Sequence, residues 1–209
     1  MDGSGPGVPR QSAPADTMQA LTRSHPAAGR RGALALTLWT VADADSMGAY
    51  WARNRDRLTP TQPHRDEAFW TPAGQSSRVD RAQGDVAAGR MFPFLVRENG
   101  ELVGEAILSD VSRGPFCSAR LGYSVDGARL RLGIASWAVD AVVDIAFTGL
   151  ALHRIEAATL VDNVASESVL RRCGFEPIGA AAAYLAIAGG WRDHGLWQRV
   201  NPGMAPPAA

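Results

Sequence analysis

The stretch from Leu121 to Ala138, LGYSVDGARLRLGIASWA, constrains the fold more than any other part of the sequence. It begins as an apolar strand, turns at Asp126-Gly127, crosses a short basic loop and enters a helix at Gly133. The first N–H groups of a helix have no partner inside the helix, and the helix dipole places positive charge at the same end. With an arginine nearby, this stretch predicts a binding site for a phosphate or a pyrophosphate.

Length, charge and cysteine content argue against several classes of protein. The chain has 209 residues, which suits one domain with a substantial core. Its 21 basic residues, all of them arginines, are balanced by 21 acidic residues, which argues against nucleic-acid binding through bulk charge. No apolar run approaches the roughly 18 to 20 residues that span a bilayer. Cys117 and Cys173 are too few for a disulfide framework or a zinc site. We therefore expect a soluble cytoplasmic protein with no metal and no direct contact with membrane or nucleic acid.

The two ends of the chain differ in composition from the middle. Residues 1 to 31 contain few large apolar side chains and no sustained period, which predicts a disordered leader or a start codon placed too early. We predict one folded domain over residues 32 to 201 and a tail over residues 202 to 209.

Apolar periodicity and turn residues predict the element order β-α-α-β-β-β-α-β-α-β-β. The predicted strands are 34–38, 92–97, 102–109, 118–125, 153–160, 182–188 and 192–199, and the predicted helices are 47–58, 73–89, 133–148 and 163–173. Asn99-Gly100 predicts a tight hairpin, and Gly189-Gly190 is predicted to join the last two strands. A meander followed by a strand, a crossover helix and a neighbouring strand predicts a mixed α/β fold with helices on both faces of one twisted sheet.

Three linked motifs resemble those of a known family. They are Asp162-Asn163-x-x-Ser166, Gly174-Phe175 and the GGWRDH segment from Gly189 to His194. Their order and spacing resemble the GNAT superfamily of acyl-CoA N-acyltransferases over residues 33 to 200, and within it the ribosomal-protein-alanine N-acetyltransferase branch. The resemblance implies a mostly antiparallel sheet whose central pair of parallel strands splays apart.

The resemblance also implies that acetyl-CoA, as co-substrate, lies between the strand 118–125 and the strand 153–160. The implied cofactor-binding residues are Tyr123, Ser124 and Val125 on the first strand, Arg131, Leu132, Gly133, Ile134 and Ala135 in the pyrophosphate loop, and Asn163 and Ser166 at the next helix.

The pyrophosphate loop departs from the family pattern at two positions. Gly133 to Ala135 keeps the family register, but Leu130 and Arg131 stand where the family usually has Gln or Arg followed by glycine. Backbone N–H groups need no particular side chain, so the loop can still hold a pyrophosphate. Either Arg131 or Arg129 would supply the positive charge.

Three residues are candidates for the chemistry. Ser166 is the implied proton donor to the leaving thiolate, although a serine in a first helical turn is also a common capping residue. Glu156 is either a general base or a structural carboxylate paired with Arg154 or Arg120. Tyr184 either orients the acceptor or packs. Further candidates for the base are Glu105 and Asp110, whereas His153 and His194 are expected to support the fold. An N-terminal amine has a pKa of roughly 7.7 to 8, so a strong base is not required.

These features predict an N-acetyltransferase that moves the acetyl group of acetyl-CoA to a primary amine. The acceptor is the N-terminal Ala or Ser of a protein or a small-molecule amine, and the enzyme is a monomer or a homodimer. The alternative is a degenerate module that binds acyl-CoA or a protein partner without turnover, and Leu130 and Arg131 are the residues that favour it.

Overall fold

A computed structural model describes residues 23–25 and 32–205 of the chain. Its strands are β1 Arg23–His25, β2 Leu34–Leu38, β3 Phe92–Glu98, β4 Glu101–Ser112, β5 Ser118–Val125, β6 Arg154–Leu160, β7 Glu176–Ile187 and β8 Gly190–Val200. Its α-helices are α1 Ala44–Arg53, α2 Arg55–Leu58, α3 Pro72–Ala87, α4 Ile134–Asp144 and α5 Val164–Arg172. A π-helical segment, Ile145–Gly149, follows α4 directly.

The strands form one sheet in the order β1-β2-β3-β4-β5-β6-β8-β7. Among the described strands, β5 and β6 form the one parallel pair, and the other neighbours are antiparallel. The parallel pairing covers three residue pairs and ends at Arg120 and Glu156. Beyond that point β5 and β6 separate, so the predicted mixed fold with a splayed central pair is confirmed.

The core lies on both faces of this sheet because each central strand buries side chains on two sides. On one face, Leu121 of β5 and Ile155 of β6 belong to a core cluster with Val142 of α4 and Leu170 of α5. On the other face, α1 and α3 cover β3 and β4 through a second cluster that includes Trp51 and Val79. We call these the α4/α5 face and the α1/α3 face.

Several element boundaries differ from the sequence-based expectation. The predicted helix 47–58 is divided at Asn54, whose buried side chain donates to the Tyr50 carbonyl and accepts the Gly127 N–H. The last two strands are longer than predicted, and their turn residues are Ala188 and Gly189, with φ of 49° and 86°. Gly190 instead pairs with Ile187 as the first residue of β8.

The chain ends are described only in part. The predicted leader, residues 1 to 31, lies outside the described residues except for β1, which pairs with β2. Residues 206 to 209 of the predicted tail also lie outside them. Among the helices that the structure describes, none is long and apolar enough to cross a membrane.

Candidate active site

A cleft of about 510 Å³ opens where β5 and β6 separate. Residues from both faces of the sheet line it: Asn163 and Ser166 on the α4/α5 face, and Glu156 on the other face. Tyr184 and His194, from β7 and β8, add to its wall. A molecule bound in the cleft can therefore be approached from both sides of the sheet.

The edge of β5 that faces the cleft carries open backbone groups. The N–H of Asp126 donates to the carbonyl of Val103 on β4 at 2.8 Å. Because successive residues of a strand point their backbone groups to opposite edges, those of Tyr123 and Val125 face the cleft. Arg57 donates to the Val125 carbonyl. The Ser124 side chain lies on the α1/α3 face, where its hydroxyl and the Tyr50 hydroxyl are 2.8 Å apart.

The loop after β5 is anchored by buried polar contacts. The Asp126 carboxylate accepts the Ala128 N–H at 2.9 Å and also pairs with Arg53. Burial opposes ionisation of this carboxyl, but the hydrogen bonds from Ala128 and Arg53 outweigh burial and lower the pKa of Asp126. Gly127 donates its N–H to Asn54 at 2.8 Å. These contacts hold the loop in front of α4.

The start of α4 presents backbone N–H groups without a side-chain cap. Gly133 is the N-cap residue, with φ of 75°, and the Ile134 side chain is buried in the core, so both can contribute only backbone groups to a ligand. Ala135 and the exposed side chain of Leu130 line the cleft, whereas Arg131 and Leu132 are exposed beside it.

Two arginines in this loop differ in their partners. Arg129 is engaged by Glu98 at 2.8 Å and by Glu101 at 3.2 Å, so its charge is already paired. Arg131 has no hydrogen bond or ion pair within the described residues, and its φ is 62°. Of the two arginines considered from the sequence, Arg131 is therefore the one available to an anion. Its positive φ also explains why glycine is usual at this position.

Ser166 is held from two sides. Its N–H donates to the Asn163 side chain at 3.1 Å, and its hydroxyl lies 2.8 Å from the hydroxyl of Tyr123. The Tyr123 hydroxyl is also 3.2 Å from the Ser166 carbonyl, to which it can donate. Burial raises the pKa of Tyr123 to about 12, so this phenol keeps its proton at neutral pH. Ser166 and Tyr123 together form a hydroxyl pair on the α4/α5 face of the cleft.

Glu156 supplies the one carboxylate among the described residues that line the cleft. Its side chain is 26% exposed, and its distance to the Arg154 guanidinium is 3.9 Å, which is long for an ion pair. Arg120, the other partner considered from the sequence, lies 3.6 Å from Asp110 at the surface. Glu156 is therefore held only weakly by its neighbours.

Glu105 is not placed to act as a base. Its buried carboxylate is paired with Arg78 at 2.9 Å and accepts the indole N–H of Trp51 at 2.9 Å. It does not line the cleft. These contacts assign Glu105 to the packing of α1 and α3 on the sheet.

An irregularity in β7 brings Tyr184 to the cleft. Ala181 pairs with His194 and Leu185 pairs with Arg192, so three residues of β7 stand opposite one residue of β8. That one residue, Asp193, accepts the Ala183 N–H at 2.7 Å. A bulge of this kind redirects the side chains that follow it. The Tyr184 ring, which lines the cleft, lies 5.6 Å from the His194 ring.

Comparison with known proteins assigns this fold to a family. The family model of the GNAT acetyltransferase domain matches residues 33–176. The chain belongs to the GNAT acetyltransferase family. The family resemblance seen in the sequence is therefore confirmed.

Individual GNAT relatives agree with this assignment. The ribosomal protein uS5-alanine N-acetyltransferase of Escherichia coli is 34% identical over 170 residues, which cover 80% of this chain and 84% of that protein. The crystal structure of a ribosomal-protein-S5-alanine acetyltransferase from Vibrio fischeri matches with a TM-score of 0.81 and 32% identity, covering 88% of this chain and 100% of that one. RimJ of Mycobacterium smegmatis, in complex with CoA-disulfide, also gives a TM-score of 0.81, at 31% identity over 86% of this chain and 87% of that chain.

Family membership confirms the predicted activity class, an acetyl-CoA-dependent N-acetyltransferase. The alternative of a module without turnover is not favoured, because these relatives are named as acetyltransferases. Within this GNAT domain, most predicted site residues line one cleft: Tyr123, Ser124, Val125, Ala135, Glu156, Asn163, Ser166 and Tyr184. Arg131, Leu132, Gly133 and Ile134 lie in the adjoining loop and helix start.

Sequence reasoning missed two features of the site. The predicted cofactor contact at Tyr123 did not include its side-chain bond to Ser166, which joins residues 43 apart in sequence. His194, expected to support the fold, is buried and lines the cleft. The period-2 alternation of β8 was the available signal, because it sets His194 and the core residue Trp197 on opposite faces.

Proposed function

We propose that this protein transfers the acetyl group of acetyl-CoA to the N-terminal amine of a protein, with a ribosomal protein that begins with alanine as the first candidate. The observation that carries the proposal is a cleft lined from both faces of the sheet, with the Tyr123 and Ser166 hydroxyls on one side and the Glu156 carboxylate on the other. The names of the relatives from Escherichia coli and Vibrio fischeri support the acceptor. A ribosomal acceptor would place the reaction in the cytoplasm.

The residues present fit acetyl-CoA as co-substrate. The uncapped N–H groups at the start of α4, together with Arg131, would hold the pyrophosphate. The open backbone groups of Tyr123 and the N–H of Val125 would bind the amide groups of the pantetheine arm, whereas the Val125 carbonyl already accepts from Arg57. Asn163, at the N-cap of α5, would hold that helix start beside the thioester.

The hydroxyl pair of Ser166 and Tyr123 would supply the proton that the leaving thiolate needs. The acceptor amine attacks the thioester carbon, a C–N bond forms and the C–S bond breaks. Ser166 would give its proton to the departing thiolate and recover one from Tyr123, which then regains a proton from solvent in the cleft because its raised pKa disfavours the phenolate. The carboxylate of Glu156 would attract the ammonium form of the acceptor to the cleft.

The charges that line the cleft favour a monocationic acceptor. Glu156 is the one acidic residue among the described lining residues, whereas Arg57 and Arg120 contribute positive charge. A polyamine or an aminoglycoside carries several positive charges and would need several carboxylates. A peptide N-terminus carries one charge, and the apolar side chains of Leu185 and Ile187 suit a small apolar first residue.

The test is acetylation of synthetic peptides by the full chain. Peptides that begin with Ala or Ser should release CoA and gain an N-terminal acetyl group, measured by thiol detection and mass spectrometry. The same peptides with a formylated N-terminus serve as matched controls, and spermidine represents small amines. Acetylation of spermidine but of no peptide would overturn the protein acceptor.

A further inference from the structure

His194 is held in a defined tautomer. Its Nδ1 lies 3.0 Å from the carbonyl oxygen of Arg192. A carbonyl oxygen only accepts hydrogen bonds, so Nδ1 carries the proton and the neutral imidazole has its lone pair on Nε2. The side chain is 3% exposed, and the cleft is the space that it lines. His194 therefore presents a proton acceptor to the cleft.

His194 lies at about the same level along the strands as the Tyr123–Ser166 hydroxyl pair. Trp197 packs in the core on the α4/α5 face, so His194, three residues away on β8, projects to the α1/α3 face. His194 pairs with Leu160 on β6. Continuing the β5–β6 register from Arg120 and Glu156 would align Leu160 with Ser124, next to Tyr123. His194 and the Tyr123–Ser166 pair thus lie at about the same level, on opposite faces of the sheet.

Glu156 lies on the α1/α3 face as His194 does, but at a different position along β6. It is four residues before Leu160 on β6, which corresponds to about 13 Å along an extended strand. It stands where β5 and β6 begin to separate, at the narrow end of the cleft. This spacing makes Glu156 an attractor of the ammonium group and leaves the proton-accepting role to a residue nearer to Ser166.

We propose that His194 Nε2 accepts the proton of the attacking amine. This inference rests on the proposed function, since it requires an amine to approach from the α1/α3 face. As the C–N bond forms, the amine proton moves to Nε2, and as the C–S bond breaks, Ser166 protonates the sulfur. The imidazolium then returns its proton to solvent at the mouth of the cleft.

Most charged groups around His194 already have partners. On β8, Arg192 is paired with Asp162 at 3.1 Å, and Asp193 accepts the Ala183 N–H. Tyr184 is the titratable group that faces it from β7. From β6 the charged residues on the same face are Glu156 and Arg154, 3.9 Å apart. Arg120 of β5 and Arg57 of α2 also line the cleft, and the loop residues 61–63 add Thr, Gln and Pro only.

The test compares His194→Asn with wild type across pH. Asparagine keeps a donor near the Nδ1 position and removes Nε2. We expect kcat with an Ala peptide to fall about 100-fold at pH 8. The Kd for CoA and the melting temperature should stay close to wild type. His153→Asn, at a histidine outside the cleft, is the matched control and should retain full activity.

The test depends on the ratio of the wild-type kcat to the His194→Asn kcat, measured across pH. Titration of the amine affects both enzymes equally and cancels in the ratio, whereas protonation of the imidazole disables the base only in wild type. For a residue that acts as a base, the ratio of wild-type kcat to variant kcat should therefore be larger at high pH than at low pH. A ratio that does not change with pH, or full activity of the variant, would overturn the proposal.

A second variant and a separate control keep the test decisive. His194→Gln should show the same pH-dependent ratio if His194→Asn fails to fold. Glu156→Gln should raise the KM for the peptide while keeping the wild-type pH profile of kcat. If wild type acetylates no peptide at all, the proposed function fails. If wild type is active and both His194 variants are equally active, only the role of His194 fails.

Discussion

Substitutions at Arg131 separate two effects: the cost of its backbone conformation to stability and the contribution of its charge to CoA binding. Its φ of 62° lies in the left-handed region, which costs a residue with a Cβ atom roughly 1 to 2 kcal/mol. Glycine adopts this conformation freely but loses more chain entropy on folding, by roughly 0.5 to 1 kcal/mol. The mid-points of these two ranges predict that Arg131→Gly stabilises the fold by about 0.75 kcal/mol. For a domain of this size, that raises the melting temperature by about 1 to 4 °C.

Arg131→Ala is the matched control because it keeps the Cβ atom and removes the charge. Its melting temperature should stay close to wild type, since exposed substitutions change stability by roughly 0.5 kcal/mol or less. An exposed ion pair is worth about 0.2 to 1 kcal/mol. The Kd for CoA should therefore rise by up to about fivefold in both variants. Arg131→Glu, which places an anion at the same position, should weaken binding more.

Thermal denaturation and calorimetry with CoA measure the two effects. The loss of affinity in Arg131→Ala should shrink at high salt, because exposed charges are screened within about 10 Å at 0.1 M ionic strength. Equal melting temperatures for the Gly and Ala variants would show that the loop does not store strain at this residue. An unchanged Kd in Arg131→Glu would show that the side chain faces away from the phosphates.

Three further substitutions test the rest of the site and its support. Ser166→Ala should lower kcat about 10- to 100-fold and leave the Kd for CoA nearly unchanged; Ser168→Ala, whose hydroxyl bonds within α5, is the control in the same assay. Glu105→Gln should reduce the free energy of unfolding by about 3 kcal/mol in urea titrations, because it leaves the largely buried Arg78 without a counter-ion. Asp126→Asn should destabilise the fold at neutral pH. Folding lowers the pKa of Asp126, so the ionised carboxylate stabilises the native state above the pKa of the unfolded chain. The difference in free energy of unfolding between wild type and Asp126→Asn should therefore narrow only as pH falls below about 3.9.

Local patterns were sufficient to predict most of the elements. The alternation of Leu34, Leu36 and Leu38 marks β2, and the stretch Ser118 to Val125 was predicted with the boundaries that the structure has. These signals are local, because side chains of one strand or helix report its own period. The helix start at Gly133 was also readable, since a glycine before an apolar helix marks a change of backbone direction.

Long-range contacts could not be read in the same way. The predicted helix 47–58 is interrupted at Asn54 because its side chain reaches Gly127, 73 residues away. Similarly, the bulge in β7 depends on the bond between Asp193 and the Ala183 N–H. Neither partner carries a local pattern that identifies the other. The bulge matters for the site, because a regular strand would have placed Tyr184 differently relative to the cleft.

The walls on the acceptor side limit which amines can enter. The Ala188 N–H at the β7–β8 turn donates to the carbonyl of Gln62 at 3.1 Å, which joins that hairpin to the loop after α2. Both joined segments line the cleft, through Pro63 on one side and Leu185 on the other. The link therefore belongs to the wall of the same cleft that His194 lines. We expect a cleft walled in this way to admit an extended chain terminus more readily than a lysine on a folded surface, whose backbone would meet the hairpin. The wall formed by the hairpin and the loop thus favours a protein N-terminus as the acceptor. The charges that line the cleft favour the same kind of acceptor, because a protein N-terminus is a monocation.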